Sequence, residues 1–203
     1  MAQSAAKMTA VSKKMGKRLL SEQKAMRRDM ADEQVGVGAE PTADLRHWRA
    51  LIEGPADTPF EGGFFELSIK FPRNYPFAPP KIKFEHAVFH PNVYKSNDIC
   101  LDILANQWSP SYRIDGVLKS IRSLLNDPNV NSPANVDASK AYNAWRHDNS
   151  DTQYADRVRA TMKSAGRYRV ALPEWYTTVR RDAREEAQRR ADKKRKRSAT
   201  GEE

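Results

Sequence analysis

Cysteine is almost missing from the sequence. Cys100 is the single one in 203 residues, so no disulfide can form within the chain. A disulfide-built secreted fold is thereby excluded, and a reducing compartment fits. Long apolar runs are missing too. Nothing approaches the roughly 18 residues of a membrane span, and the first thirty residues lack the apolar centre of a signal peptide. Neither secretion nor a membrane partner is expected. No internal repeat is visible. The central body also lacks a basic excess. Residues 31–156 are net −5, whereas 1–30 are net +6 and 157–203 are net +8. A nucleic-acid-binding core is therefore not expected; the pattern is a mildly acidic globule with basic arms. Hydrophobic residues make up 39% and charged residues 30%. This suits one mid-sized domain with part of the chain outside its core.

Patterning divides the chain. Residues 1–12 are small and polar and are expected to form a disordered arm. Helical spacing then places Met15, Leu19, Met26 and Met30 on one stripe of a helix from about Lys13 to Asp32, ended by Gly36 and Gly38. Period two follows in His47–Ile52, in Phe65–Phe71 and in Lys81–Glu85, with short turn-rich links that favour an antiparallel meander. Residues 88–112 hold no period for long, and a long irregular segment in a compact domain is usually functional. Helical spacing resumes with Ile114, Val117, Leu118, Ile121, Leu124 and Leu125. Ser132-Pro133 predicts the start of the next helix, a hydroxyl cap followed by proline. A further helix spans about 152–164. The last, after Pro173, shows only a narrow seam of Trp175, Val179, Ala183, Ala187 and Ala191, so weak packing is expected and loss of 166–203 should leave the fold intact. The order reads as α+β: an N-terminal helix, an antiparallel meander, a long irregular loop, then C-terminal helices.

Chemistry concentrates in the irregular segment. A lone cysteine can be a small buried hydrophobe or a nucleophile, and the position of Cys100 in an aperiodic loop favours the second. A thiol nucleophile is usually paired with a histidine base. His86 and His90 lie upstream, but sequence does not place either beside the sulfur. His90-Pro91-Asn92 reads equally as a tight turn or as a loop whose Asn92 amide serves an oxyanion. Phe77 alone reads as a core residue or an ordinary exposed aromatic. Lys193–Arg197 is five consecutive cations: a nuclear-import patch, a nucleic-acid or nucleosome contact, or a solvated tail.

Several motifs in fixed order then point to a family. They are Gly62-Gly63, Phe71-Pro72-Arg73-Asn74-Tyr75-Pro76-Phe77-Ala78-Pro79-Pro80, Phe89-His90-Pro91-Asn92-Val93-Tyr94, Ile99-Cys100-Leu101-Asp102-Ile103-Leu104, Gln107-Trp108-Ser109-Pro110 and Ser123–Asn129. From about residue 17 to 160 the chain resembles ubiquitin-conjugating enzymes. The cysteine loop is similar to the short repair and histone-modifying subclass. The region from Ser132 onward is similar to the cell-cycle subclass, without its acidic insertion and acidic tail.

The resemblance implies an α+β fold with a four-stranded antiparallel meander, a catalytic domain over 13–165 and a basic, partly helical extension over 166–203. It implies that Cys100 accepts ubiquitin as a thioester from the activating enzyme and passes it to substrate lysines with a RING-type ligase. A thioester needs no strong base beside the sulfur, because a thiolate leaves far more readily than an amide nitrogen. By the same resemblance Asn92 polarises the carbonyl oxygen or braces the loop, and Asp102 and Ser132 lie near the incoming lysine. Phe77 with Trp108, Ser109 and Pro110 docks the ligase, and Lys13, Lys14, Lys17 and Arg18 meet the activating enzyme. No metal or bound cofactor is implied; ATP is consumed by the activating enzyme upstream. Other ubiquitin-like modifiers, and a nucleic-acid-binding protein using the domain as scaffold, stay open as alternatives. The nucleus and cytoplasm are the expected locations.

Overall fold

The computed structural model describes residues 12–32, 34–148 and 150–200, with backbone alone for 194 and 196–200. The expected arm lies outside the described residues except for Ser12, whose hydroxyl accepts the Met15 N–H at 3.3 Å and caps the first helix. That helix, α1, spans Lys13–Met30, and its predicted stripe is buried.

Four strands follow: β1 (Val37–Pro41), β2 (His47–Glu53), β3 (Phe64–Lys70) and β4 (Lys81–Phe84), antiparallel in the order β1-β2-β3-β4. Pairing aligns apolar columns across the sheet. Val37 faces Ile52 and then Phe65; Ala39 faces Ala50, Leu67 and Phe84; Pro41 faces Trp48, Ile69 and Ile82. The alternate positions carry Glu40, Arg49, Ser68 and Lys83. Each fully buried large apolar side chain in these columns contributes roughly 1.5–3 kcal/mol.

Gly36 and Gly38 do more than end α1. Gly36 turns the chain at φ +60. Gly38 lies inside β1, where an added Cβ would come within 2.6 Å of the Tyr176 ring and 2.9 Å of the Met30 sulfur. The glycine is there because two side chains press on that backbone.

After the irregular segment come α2 (Ile114–Asn126), α3 (Val136–His147), α4 (Gln153–Ser164) and α5 (Glu174–Thr200). Helices α1 and α2 pack on β1 and on each other, α3 packs on α4, and α5 lies along α1. Two expectations need correction. Ser132 does not cap α3. Asn135 does, accepting the Ala138 N–H at 3.1 Å, because its own N–H is held by the Pro91 carbonyl at 2.9 Å and keeps the chain extended until then. Nor is α5 weakly packed. Tyr176, Val179 and Ala183 are buried, and Tyr176 and Arg180 both bond the Glu53 carboxylate, at 2.9 and 2.8 Å. The connection before α5 is tied in as well: the Phe64 N–H donates to the Arg167 carbonyl and the Arg169 N–H to that of Gly62.

Candidate active site

The irregular segment contains a small hairpin. Val93 bridges Ile99, the Tyr94 N–H donates to the Asp98 carbonyl at 3.0 Å, and the turn is made by Asn97 at φ +67. Asparagine is among the few residues that adopt this region readily. The hairpin delivers Cys100 to a half-buried position, where its N–H donates to the Asn92 carbonyl at 2.8 Å. The sulfur therefore sits on a held backbone with a path to solvent.

Asn92 is buried, and its side chain is engaged at both ends. Its Nδ2 donates to the Asn129 carbonyl at 2.8 Å, and its Oδ1 accepts the Asn129 N–H at 2.8 Å. Of the two roles left open for this amide, bracing is the one this arrangement performs. His90 extends the brace. Its Nδ1 accepts the Asn92 N–H at 2.9 Å, which fixes the proton on Nε2, and that nitrogen donates to the Leu124 carbonyl at 2.9 Å. Burial pulls the His90 pKa down to about 4. His90 is thus a neutral structural residue. His86 is engaged at 3.2 Å by Glu66 on β3, which Arg167 also contacts at 2.7 Å. Neither histidine is bonded to the thiol.

The segment from 127 to 135 is pinned to this brace at both ends, through Asn129 to Asn92 and through Asn135 to Pro91. Ser132 lies exposed between the two pins. On the other side of the cysteine, Asp102 opens a 3-10 turn over Asp102–Leu104. It is exposed, and one carboxylate oxygen accepts the Ile103 N–H at 2.7 Å. Tyr94, to which the sequence alone assigns no role, follows Val93 in the hairpin strand that pairs with Ile99. Tyr94 is 46% exposed, and its interaction with the neighbouring Cys100 raises its pKa. The signal was Asn97, whose turn folds Tyr94 back toward the cysteine strand.

The predicted ligase residues come together. Phe77 is 67% exposed, which removes the core reading. The Trp108 indole N–H donates to the Pro76 carbonyl at 2.8 Å, tying its loop to the one that carries Phe77. Ser109 is held by Ser111 at 2.7 Å, and Pro110 is exposed. On α1, Lys13, Lys14 and Lys17 are exposed, and the Lys14 ammonium stands 5.6 Å from the Phe77 ring. Arg18 differs from its neighbours: it bonds Glu22 at 2.6 Å and the Tyr112 carbonyl at 2.6 Å. Glu22, buried on α1, was not anticipated. It accepts the Tyr75 hydroxyl at 2.5 Å and the Ile114 N–H at 2.7 Å. Among the described residues no group of three or more His, Cys, Asp or Glu could hold a metal ion, and no helix is long and apolar enough to cross a membrane.

Comparison with known proteins agrees with this geometry. The family model for ubiquitin-conjugating enzymes matches residues 18–162. Ubiquitin-conjugating enzyme E2 2 of Debaryomyces hansenii is 48% identical over 150 residues, covering 73% of this chain and 84% of that relative. The protein of the same name from Trichoderma harzianum is 50% identical over 138 residues, covering 68% and 88%. Among solved structures, the chain is similar to the H. polymorpha ubiquitin conjugating enzyme Pex4p, in complex with the soluble domain of Pex22p. The TM-score is 0.64 at 32% identity, covering 72% of this chain and 95% of that one. A Toxoplasma gondii ubiquitin-conjugating domain gives 0.61 at 34%, covering 73% and 96%. The matched range holds the sheet, the cysteine loop, α2 and α3, and the chain belongs to the ubiquitin-conjugating enzyme family, acyltransferases that act on ubiquitin.

Proposed function

We propose that Cys100 carries ubiquitin as a thioester and that a substrate lysine then displaces it. In the first step the Cys100 sulfur attacks the thioester carbonyl carbon presented by the activating enzyme; a new C–S bond forms, the old one breaks, and the departing thiolate takes up the proton that the Cys100 thiol gives up. In the second, the lysine nitrogen attacks, the C–N bond forms, the C–S bond breaks, and the ammonium proton passes to solvent or to a carboxylate. Asp102, exposed two residues from the cysteine, suits the orientation of that amine. Ser132, exposed in the pinned 127–135 segment, lines the same approach. Asn92 acts by bracing.

The observation that carries this reading is the pair of anchors at the cysteine, the Cys100 N–H to the Asn92 carbonyl and the Asn92 side-chain amide to the Asn129 carbonyl. They fix an accessible sulfur in place, as covalent catalysis requires. Phe77, Trp108, Ser109 and Pro110 form the surface for a RING-type ligase. Lys13, Lys14 and Lys17 face the activating enzyme, while Arg18 supports the surface from within. The run Lys193–Arg197 supports a nuclear as well as a cytoplasmic location; its replacement by alanine, followed by imaging of the tagged protein, tests that. Lys193 and Arg195 are exposed, and the side chains of the other three lie outside the described residues.

The deciding experiment incubates the protein with activating enzyme, ATP and a panel of ubiquitin-like modifiers. Wild type should form a thiol-labile conjugate with ubiquitin. Cys100→Ser should form at most an oxyester, cleaved by hydroxide and resistant to thiol. A thiol-labile conjugate persisting in Cys100→Ser would overturn the assignment, since the chain has no other cysteine.

A further inference from the structure

Helix α5 lies outside the stretch matched by the family model, which ends at residue 162. Where it runs along α1 the two helices leave a groove of about 470 Å3. One wall carries Lys24, Arg27 and Arg28, and the other carries Arg190, with Ala183 and Ala187 alongside. Glu186 is the one acid in the lining, and it is bonded to Arg190 at 2.6 Å. Among the described residues no carboxylate pairs with Lys24, Arg27 or Arg28. The nearest acids on α1 are committed elsewhere: Asp29 pairs with Lys119 at 2.6 Å, and Glu22 points into the core. Three cations without a carboxylate partner thus line one concave space, a setting that attracts an anion.

We propose that this groove docks an acidic peptide segment of a partner protein, with an apolar side chain of that segment seated on Ala183 and Ala187. Shape and composition select the peptide over nucleic acid. A duplex takes a protruding helix into its major groove, and a cleft sunk between two packed helices offers none. Single strands bind where bases can stack on aromatic rings, and no aromatic side chain lines the cleft. The volume falls within the ~300–1,000 Å3 of pockets that enclose a small ligand. An alanine floor between cationic walls is a mixed surface, which a carboxylate-rich segment with interspersed leucine would match and a phosphate backbone would not.

The test uses the full chain and fluorescence anisotropy with a fluorescein-labelled peptide of repeated Glu-Glu-Leu triplets. Comparison probes are the same peptide with serine for leucine, and a labelled DNA duplex. Three variants are compared with wild type: Lys24→Ala with Arg27→Ala and Arg28→Ala; Ala187→Trp, which fills the floor and keeps every charge; and Lys193 through Arg197 changed to alanine. The first two should each weaken the leucine peptide roughly tenfold or more. The tail variant should stay within about twofold, and the serine peptide should bind wild type more weakly than the leucine peptide. Should the triple variant fold poorly by circular dichroism, Ala187→Trp carries the test alone. Peptide binding lost in the tail variant but kept in Ala187→Trp would overturn the proposal. So would DNA binding more tightly than the peptide and responding to the α1 substitutions, or no measurable peptide binding by wild type.

Discussion

Asn92 and Asn129 are joined by two hydrogen bonds of 2.8 Å, amide to carbonyl and amide carbonyl to N–H. Residue 92 precedes the cysteine and residue 129 follows α2, so one side chain closes a loop of 37 positions. Asn92→Ala leaves the buried N–H and carbonyl of Asn129 without partners, and the expected loss is about 2 kcal/mol of unfolding free energy. Thioester loading and lysine transfer should fall together. Urea unfolding with single-turnover assays of both steps checks this. Unchanged stability with a selective loss of transfer would instead assign the amide to the oxyanion.

Phe77 projects from a loop whose neighbours are already satisfied, with Pro76 bonded to Trp108 and the Phe77 N–H donating to Asn74. Phe77→Ala should therefore leave the melting temperature and thioester loading unchanged. Stimulation by a RING-type ligase should drop by the equivalent of about 2 kcal/mol or more in binding. A fall in melting temperature would show that the ring supports the fold.

His90 gives the fold a defined acid response. Its folded pKa of about 4 lies below the ordinary value of about 6.5. The unfolded chain thus takes up a proton that the folded chain refuses. The stabilisation is complete above pH 6.5, declines as pH falls toward 4, and is gone below that. At full extent it amounts to about 3 kcal/mol. Unfolding free energies between pH 7.5 and 4 should show this slope. His90→Gln should be less stable at neutral pH and should lose the slope's histidine component.

Chain ends separate the two parts of α5. Stopping after Ala165 removes Tyr176, Val179 and Ala183 from the core and the bonds to Glu53, at an expected cost of at least about 4 kcal/mol. Stopping after Arg190 removes the exposed Ala191, Asp192, Lys193 and Arg195 and should cost less than about 0.5 kcal/mol. Thermal and urea unfolding of the two shortened proteins distinguish them.

Most of the architecture was legible because burial imposes a period. The stripe on α1, the alternation in β3 and the apolar face of α2 each appear where the spacing put them. Failures arose where a long-range contact set the local structure. Strand β1 was hidden because Gly36 and Gly38 look like punctuation, and only Tyr176, 138 residues beyond Gly38, explains why a strand there must be bare. Ser132-Pro133 carries a sound helix-start signal, yet Pro91 holds Asn135 extended and moves the start. Tyr176 lies off the i, i+4 seam of α5 and was overlooked for that reason. At the site, motif order located Cys100 and Asn92, but a choice between bracing and oxyanion roles needed the position of Asn129. Tyr94 closes its own motif, and the Asn97 turn lays its strand alongside the one that leads to Cys100.

Glu22 changes how α1 looks from a distance. Counted from composition, the helix carries two acids, but one is buried against Tyr75 and the Ile114 N–H with Arg18 beside it, and the other is matched by Lys119. What remains outward is Lys13, Lys14, Lys17, Lys24, Arg27 and Arg28, a field of one sign along one edge of the molecule. Such a field acts beyond contact, over the ~8 Å that physiological salt permits. An approaching acidic surface is therefore turned toward this edge before it touches, and arrives already oriented.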